Sequence, residues 1–216
     1  MKPSSTGKPT RAQLAALVRR DPALGRALRR VEPFPGFPAG AARVVHSHFH
    51  ALARSIVYQQ LAGAAASTIH DRVAALTPSG RFPKAAELLA LPEQALRGAG
   101  LSRNKLASLR DLAEHVESGR LKLASVARLD DEAIVERLVE VRGVGRWTAE
   151  MFLIFRLGRL DVMPATDLGV REGARRLDGL DERPTPTQVL ERSAPWRPLR
   201  SVASWVLWRL AEEKPA

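Results

Sequence analysis

The chain has 216 residues and a net charge of +11, with 45% hydrophobic and 26% charged residues. That length and composition suit a globular core, as one domain or two joined lobes, and exclude a disordered polymer. With no cysteine there can be no disulfide, thiolate-bound zinc or iron–sulfur cluster. No apolar run reaches the ~18 residues of a membrane span and no secretory leader is visible, so a cytoplasmic protein without membrane contact is expected. The charge favours a polyanionic partner, most simply nucleic acid, although a solvated basic surface gives the same sum.

Residues 1–9, MKPSSTGKP, are polar and aperiodic and read as a disordered tail. A helix is predicted from Thr10 to Arg20. Asp21-Pro22, an N-cap followed by proline, opens another to about Val31. Residues 32–40 carry three prolines and two glycines and read as a loop. Residues 49–76 look helical with an interruption near Gly63. His46, His48 and His50 alternate ahead of it. Only His46 and His50 would share a helical face and no carboxylate sits nearby, so solvent-exposed histidines are expected rather than a metal site. Tyr58-Gln59-Gln60 closes an otherwise apolar helix, where a buried amide must find a partner. Short helices are predicted at 83–89 and 92–98. Ser102 caps a helix running to about Ser118, and Arg103 and Lys105 beside that cap make a candidate phosphate contact. A simple cap with solvated bases fits the same residues.

Residues 138–167, LVEVRGVGRWTAEMFLIFRLGRLDVMPATD, carry the chemistry. A helix capped by Asp130 or Asp131 ends at Gly143-Val144-Gly145, where glycine permits positive φ and close backbone approach. A second helix, apolar on nearly every face, is predicted from Arg146 to Gly158. Thr166 reads as an N-cap, placing Asp167 in the first turn of a third helix, where the helix dipole favours negative charge. The turn presents backbone N–H groups at a helix start, flanked by Arg142 and Arg146, which suits one phosphate. Spacing alone fits equally an ordinary αα-hairpin followed by a helix-capping Asp. That third helix is predicted to run to about Leu177, a short one follows Pro186, and Trp196-Arg197-Pro198 leads into the last. No alternating strand-like run of any length occurs. The expected fold is all-α and two-lobed, with an active site in the cleft between lobes. Lobe one would comprise 10–45 plus about 160–216, and lobe two about 46–159.

The stretch VRGVGRWTAEMFLIFRLGRLDVMPATDLGVREG resembles the helix-hairpin-helix (HhH-GPD) DNA glycosylases, in the 3-methyladenine DNA glycosylase II branch, which removes alkylated bases. FHALARSIVYQQLAGAAASTI, GLSRNKLASLRDLA and WRPLRSVASWVLWRL match further segments of that family in the same order, so the resemblance covers roughly residues 20 to 210. It implies a monofunctional enzyme of base excision repair. Such an enzyme hydrolyses the N-glycosidic bond of a 3-methyladenine or 7-methylguanine type base flipped out of double-stranded DNA. Some relatives carry a β-rich domain before the catalytic core; too few residues precede it here to build one.

The resemblance assigns Asp167 as the catalytic carboxylate. It places Trp147 and Trp208 at the base pocket, where Met151, one turn after Trp147, would complete a soft wall, with Tyr58 and Gln59 as further candidates there. Arg142, Gly143, Gly145, Arg146 and Thr148 of the hairpin, with Ser102, Arg103 and Lys105, fall to the DNA backbone. Gln60 falls to the space left by the extruded nucleotide, where the family often has a larger apolar wedge. Trp205 reads as core. An N-alkylated purine is cationic and electron-poor, and stacks well on indole. Relatives that also cut the strand carry a lysine nucleophile where Trp147 stands, and no lysine occurs between Lys122 and Lys214. Base removal without lyase activity is therefore expected. The family often holds a monovalent cation on hairpin carbonyls, here near Gly143 and Gly145; Na+ or K+ there would be the sole cofactor. The architecture requires no second copy, so a monomer is expected. Competing readings are a non-catalytic hairpin module that binds DNA structure, which would not need Asp167, Trp147 and Trp208 together, and a glycosylase for deaminated or oxidised bases. A helix-turn-helix regulator leaves Asp167 unexplained.

Overall fold

The computed structural model describes residues 7–37 and 47–213. Twelve α-helices lie among them and no strand beyond one isolated backbone bridge, so the fold is all-α. No described helix is long and apolar enough to cross a membrane. The chain divides into two compact units, one of residues 1–39 with 153–216 and the other of residues 40–152.

The first unit contains α1 (Arg11–Arg20), α2 (Pro22–Arg30), α10 (Leu168–Asp178), α11 (Pro186–Arg192) and α12 (Arg200–Glu212). Thr10 caps α1 in a reciprocal capping box with Gln13. Residues 1–6 of the predicted tail lie outside the described residues. Its end is not loose: the Phe37 N–H donates to the Gly7 carbonyl at 2.7 Å, because the loop after α2 supplies a backbone partner. The core gathers Leu17, Leu24, Val170, Val206 and Leu207 around Trp196. α10 and α12 pack closely at Gly173, where a Cβ would lie 2.0 Å from the Leu207 carbonyl oxygen.

Asp21 locks this core. It caps α2 by accepting from Leu24 N–H at 2.9 Å, and it accepts from the fully buried Trp196 Nε1–H at 2.7 Å. Arg192 pairs with it and with Asp178. Burial alone would raise the Asp21 carboxyl, but Arg192 and these hydrogen bonds leave it below the ordinary range.

Glu172 is a second anchor. Arg175, Arg176 and Arg183 lie 3.0, 2.9 and 3.0 Å from its carboxylate. These arginines, Arg175 foremost, hold its pKa at about 2 against an ordinary 4.5. A depressed carboxyl stabilises the fold above its unfolded pKa, and the contribution disappears as pH falls through the folded value. Urea unfolding at pH 7 should show Glu172→Gln less stable by about 1–2 kcal/mol. That gap should close as the pH falls from near 4.5 towards 2.

The second unit contains α3 (His48–Tyr58), α4 (Gly63–Ala74), α5 (Ala85–Ala90), α6 (Glu93–Gly98), α7 (Arg103–Glu117), α8 (Asp131–Val139) and α9 (Arg146–Met151). Leu52, Ile56, Leu88, Leu96, Leu109, Leu112, Ile134 and Leu138 are fully buried and form its interior. Two expectations need correction here. Asp130 stands at the N-cap of α8 without a side-chain capping bond. The histidines before the first glutamine are not a solvated set. His46 lies outside the described residues, and His50 is half-buried with Nε2 2.8 Å from His70 Nε2, its ring stacked on His70 and Phe82. His70 comes from the helix after the interruption, so local spacing could not reveal the pair. Among the described residues, no three side chains of metal-ligating type cluster.

Candidate active site and DNA-binding hairpin

The hairpin between α8 and α9 is built from one strained position and two clasps. Gly143 has φ +77°, and a Cβ there would lie 2.5 Å from Ser108 Oγ. Any other residue would meet both the left-handed penalty and a clash with α7. Gly145 is different: it caps α9 at φ −90°, and a Cβ would touch nothing in the protein. Only one of the two glycines is therefore explained by the turn itself. The Arg142 N–H donates to Asp111 Oδ2 at 2.8 Å, and Gln59 Nε2 donates to the Gly143 carbonyl at 2.9 Å. Gly143→Ala should lower stability by about 2 kcal/mol and weaken DNA binding, as read by titration of a labelled duplex.

The predicted backbone contacts divide when placed in this frame. Arg146 pairs with Glu132 and lies 3.9 Å from Glu150, while the Arg142 and Arg103 side chains are exposed. Thr148 is only 5% exposed. Its side chain faces the interior of α9's packing and is withdrawn from the surface, leaving its backbone N–H in the first turn, which has no acceptor within the helix. Ser102 caps α7 through Lys105 N–H at 3.2 Å. Lys105 Nζ donates to the Val57 carbonyl at 2.7 Å, and burial pushes its ammonium below the ordinary range. Both residues are thus occupied within the protein, and Lys105 braces the end of α3.

That end carries the glutamines. Gln59 is the C-cap of α3, and its amide serves the hairpin rather than a pocket. Gln60 is exposed and holds φ +55°, the sole left-handed non-glycine among the described residues. Leu61 beside it is 38% exposed. Sequence reasoning passed over Leu61, although an apolar residue directly after Gln60 was a readable signal for the wedge that the family often carries. Tyr58 packs under the Arg54 guanidinium, 3.8 Å from its ring centre.

Trp147, in the first turn of α9, is 45% exposed, and Met151 one turn later is half-buried. The helix does not run regularly to Gly158 as expected: after Met151 it widens into a π segment, Phe152–Arg156. An extra residue per turn re-aims the side chains that follow. Phe155 thereby stacks on Trp208, with centroids 5.5 Å apart and planes 23° apart. Phe155 was not among the predicted site residues.

Asp167 belongs to the first unit. It is itself the N-cap of α10, not a first-turn residue after a Thr166 cap. Oδ1 accepts from Val170 N–H at 2.8 Å, and the helical ladder begins with Arg171 N–H on the Asp167 carbonyl. Thr166 is exposed, one residue too early, because Asp167 N–H closes a turn onto the Pro164 carbonyl. Trp208 Nε1–H, from α12, donates to the same Oδ1 at 2.9 Å. The approach to Asp167 is tied to α12 as well. Arg200 grips Asp161 at 2.8 Å, Val162 N–H donates to Ser201 Oγ at 2.9 Å, and Ser201 N–H donates to the Leu160 carbonyl at 2.9 Å. Trp205, three residues before Trp208, packs with the core and lies 4.6 Å under Arg209.

The chain thus combines a helix-capping carboxylate held by an indole with a glycine hairpin opening a helix. Residues 53–198 match the HhH-GPD superfamily of base excision DNA repair proteins, and the chain belongs to that family. It is 39% identical over 165 residues to DNA-3-methyladenine glycosylase 1 of Schizosaccharomyces pombe, covering 76% of this chain and 72% of that one. The solved structure of the S. pombe 3-methyladenine DNA glycosylase in complex with abasic DNA superposes with a TM-score of 0.79 at 34% identity, covering 91% and 95% of the two chains. DNA-3-methyladenine glycosidase from Bacillus halodurans superposes with a TM-score of 0.81 at 35% identity, covering 98% and 93%.

A monovalent cation on the hairpin would need carbonyl ligands. The Gly143 carbonyl accepts from Gln59 and the Gly145 carbonyl from Ala149 N–H at 3.1 Å.

Proposed function

We propose that this protein is a DNA-3-methyladenine glycosylase of base excision repair. It hydrolyses the N-glycosidic bond of alkylated bases in double-stranded DNA and leaves an abasic site without cutting the strand. The observation that carries this reading is Asp167, held at a helix N-terminus by Val170 N–H and Trp208 Nε1–H in a member of a base-excision family. Relatives named for 3-methyladenine support the lesion class.

The hairpin takes the DNA backbone, with the exposed side chains of Arg142 and Arg103 supplying charge and Gly145 leaving room for a phosphate. Gln60, or Leu61 beside it, fills the gap as the damaged nucleotide turns out of the stack. Trp147 and Trp208 each offer an indole face that suits a cationic base. Since Phe155 covers one face of Trp208, only the opposite face serves.

The N-alkylated base departs with the bonding electrons and becomes neutral. The sugar is left as an oxocarbenium ion, which Asp167 stabilises. Water adds to C1′ and its proton passes to Asp167 or to solvent. Trp147 stands where a lysine nucleophile would be needed for strand cleavage, which supports simple hydrolysis. A monomer acting in the cytoplasm completes the reading.

The test uses end-labelled methylated duplex, with the strand followed before and after alkali. Breaks that need alkali, accompanied by free 3-methyladenine, are the expected result. Breaks without alkali would refute the hydrolytic reading.

A further inference from the structure

Trp208 offers the base an aromatic surface in the proposed reaction. Its N–H points elsewhere, to Asp167 Oδ1, which also accepts from Val170 N–H. One carboxylate oxygen therefore receives two donors, one from its own helix and one from α12. A cap bond alone leaves the plane of a carboxylate free to rock about χ2. A second donor from another element removes that freedom.

The surroundings are shaped to permit this contact. Gly169 lies between the two groups, and a Cβ on it would meet Trp208 Cδ1 at 2.9 Å and Asp167 Oδ1 at 3.1 Å. Glycine in the first turn of a helix costs stability relative to alanine. Here alanine could be accommodated only by moving the indole or the carboxylate. On its other side, Phe155 of the π segment stacks against the indole and fixes its tilt. The loop preceding Asp167 is bound to the start of α12 through Arg200 and Ser201. The carboxylate and the indole therefore share one frame at both ends.

We infer that Trp208 is a positioning residue for Asp167: its indole N–H fixes the carboxylate that faces the reacting sugar, and Gly169 and Phe155 exist to admit and hold that N–H. This rests on the reading of Asp167 as the acting carboxylate.

The experiment separates the donor from the aromatic surface. Replacing Trp208 by β-(3-benzothienyl)alanine keeps ring size and stacking and exchanges N–H for sulfur. On methylated duplex this variant should lose about 10- to 100-fold in kcat with KM little changed, the scale of a small misplacement of a reacting group. Gly169→Ala should lose kcat to a similar degree while its thermal unfolding stays cooperative. Independently of activity, the Trp208 indole N–H resonance of 15N-labelled protein should move between the wild type and Asp167→Asn, because the charge on its acceptor is lost.

A benzothienyl variant with wild-type kcat would overturn the inference and leave Trp208 a base-stacking wall. So would an indole resonance indifferent to Asp167→Asn in an active enzyme. Wild-type protein that releases no base while its indole resonance still responds to Asp167→Asn would overturn the excision reading itself, and with it the role though not the hydrogen bond.

Discussion

Asp167→Asn is expected to slow release of an alkylated base by about two to three orders of magnitude, the usual effect of removing one group that stabilises charge in a transition state. Asparagine has the same shape, and its side-chain oxygen can still accept from Val170 N–H and Trp208 Nε1–H. The cap of α10 therefore survives and only the negative charge is lost. Base release under single-turnover conditions measures the first effect and circular dichroism melting the second. A variant that is slow and unfolded would say nothing of charge. One that is folded and as fast as wild type would remove Asp167 from the chemistry.

Asp21→Ala is expected to cost about 3–5 kcal/mol of stability, lowering the melting temperature by about 10 °C or more for a chain of this size. Alanine removes the cap of α2, strands the Trp196 indole N–H in a fully buried site, and leaves Arg192 with Asp178 alone. An unpaired buried donor carries its whole desolvation cost. Because the Asp21 carboxyl is held below its ordinary range, the wild type keeps this stabilisation above the unfolded pKa and loses it as the pH falls below it. Chemical denaturation of both proteins at neutral pH gives the magnitude. A loss below 1 kcal/mol would mean that the core reorganises around Trp196.

Much of the helical framework was legible in the sequence because its boundaries are written in local chemistry. Asp21 and Ser102 cap the helices expected of them, the helix predicted from Thr10 begins one residue later with Thr10 as its cap, and the break before Gly63 falls after Tyr58. The start of α10 was misplaced by one residue, since Thr166 and Asp167 are both good caps and only the tertiary turn onto Pro164 decides between them. The π segment was invisible, because a helix apolar on every face offers no period from which to read its pitch. The glycine turn and the helix that begins at Asp167 were readable from motif and resemblance. The side chains that hold them were beyond reach: Gln59 meets Gly143, Lys105 meets Val57, and Trp208 meets Asp167. These bonds join residues 41 to 84 positions apart, and no local pattern encodes them. His50 and His70 show the same limit, each unremarkable until the fold brings their rings together.

The measurement closest to the central claim is mass-spectrometric detection of the free base released by purified wild-type protein. The substrates are duplexes carrying alkylated purines, with undamaged and uracil-containing duplexes beside them. The account predicts time-dependent release of 3-methyladenine from the alkylated duplex alone. No released base from any alkylated duplex, under conditions where the protein demonstrably binds DNA, would contradict it.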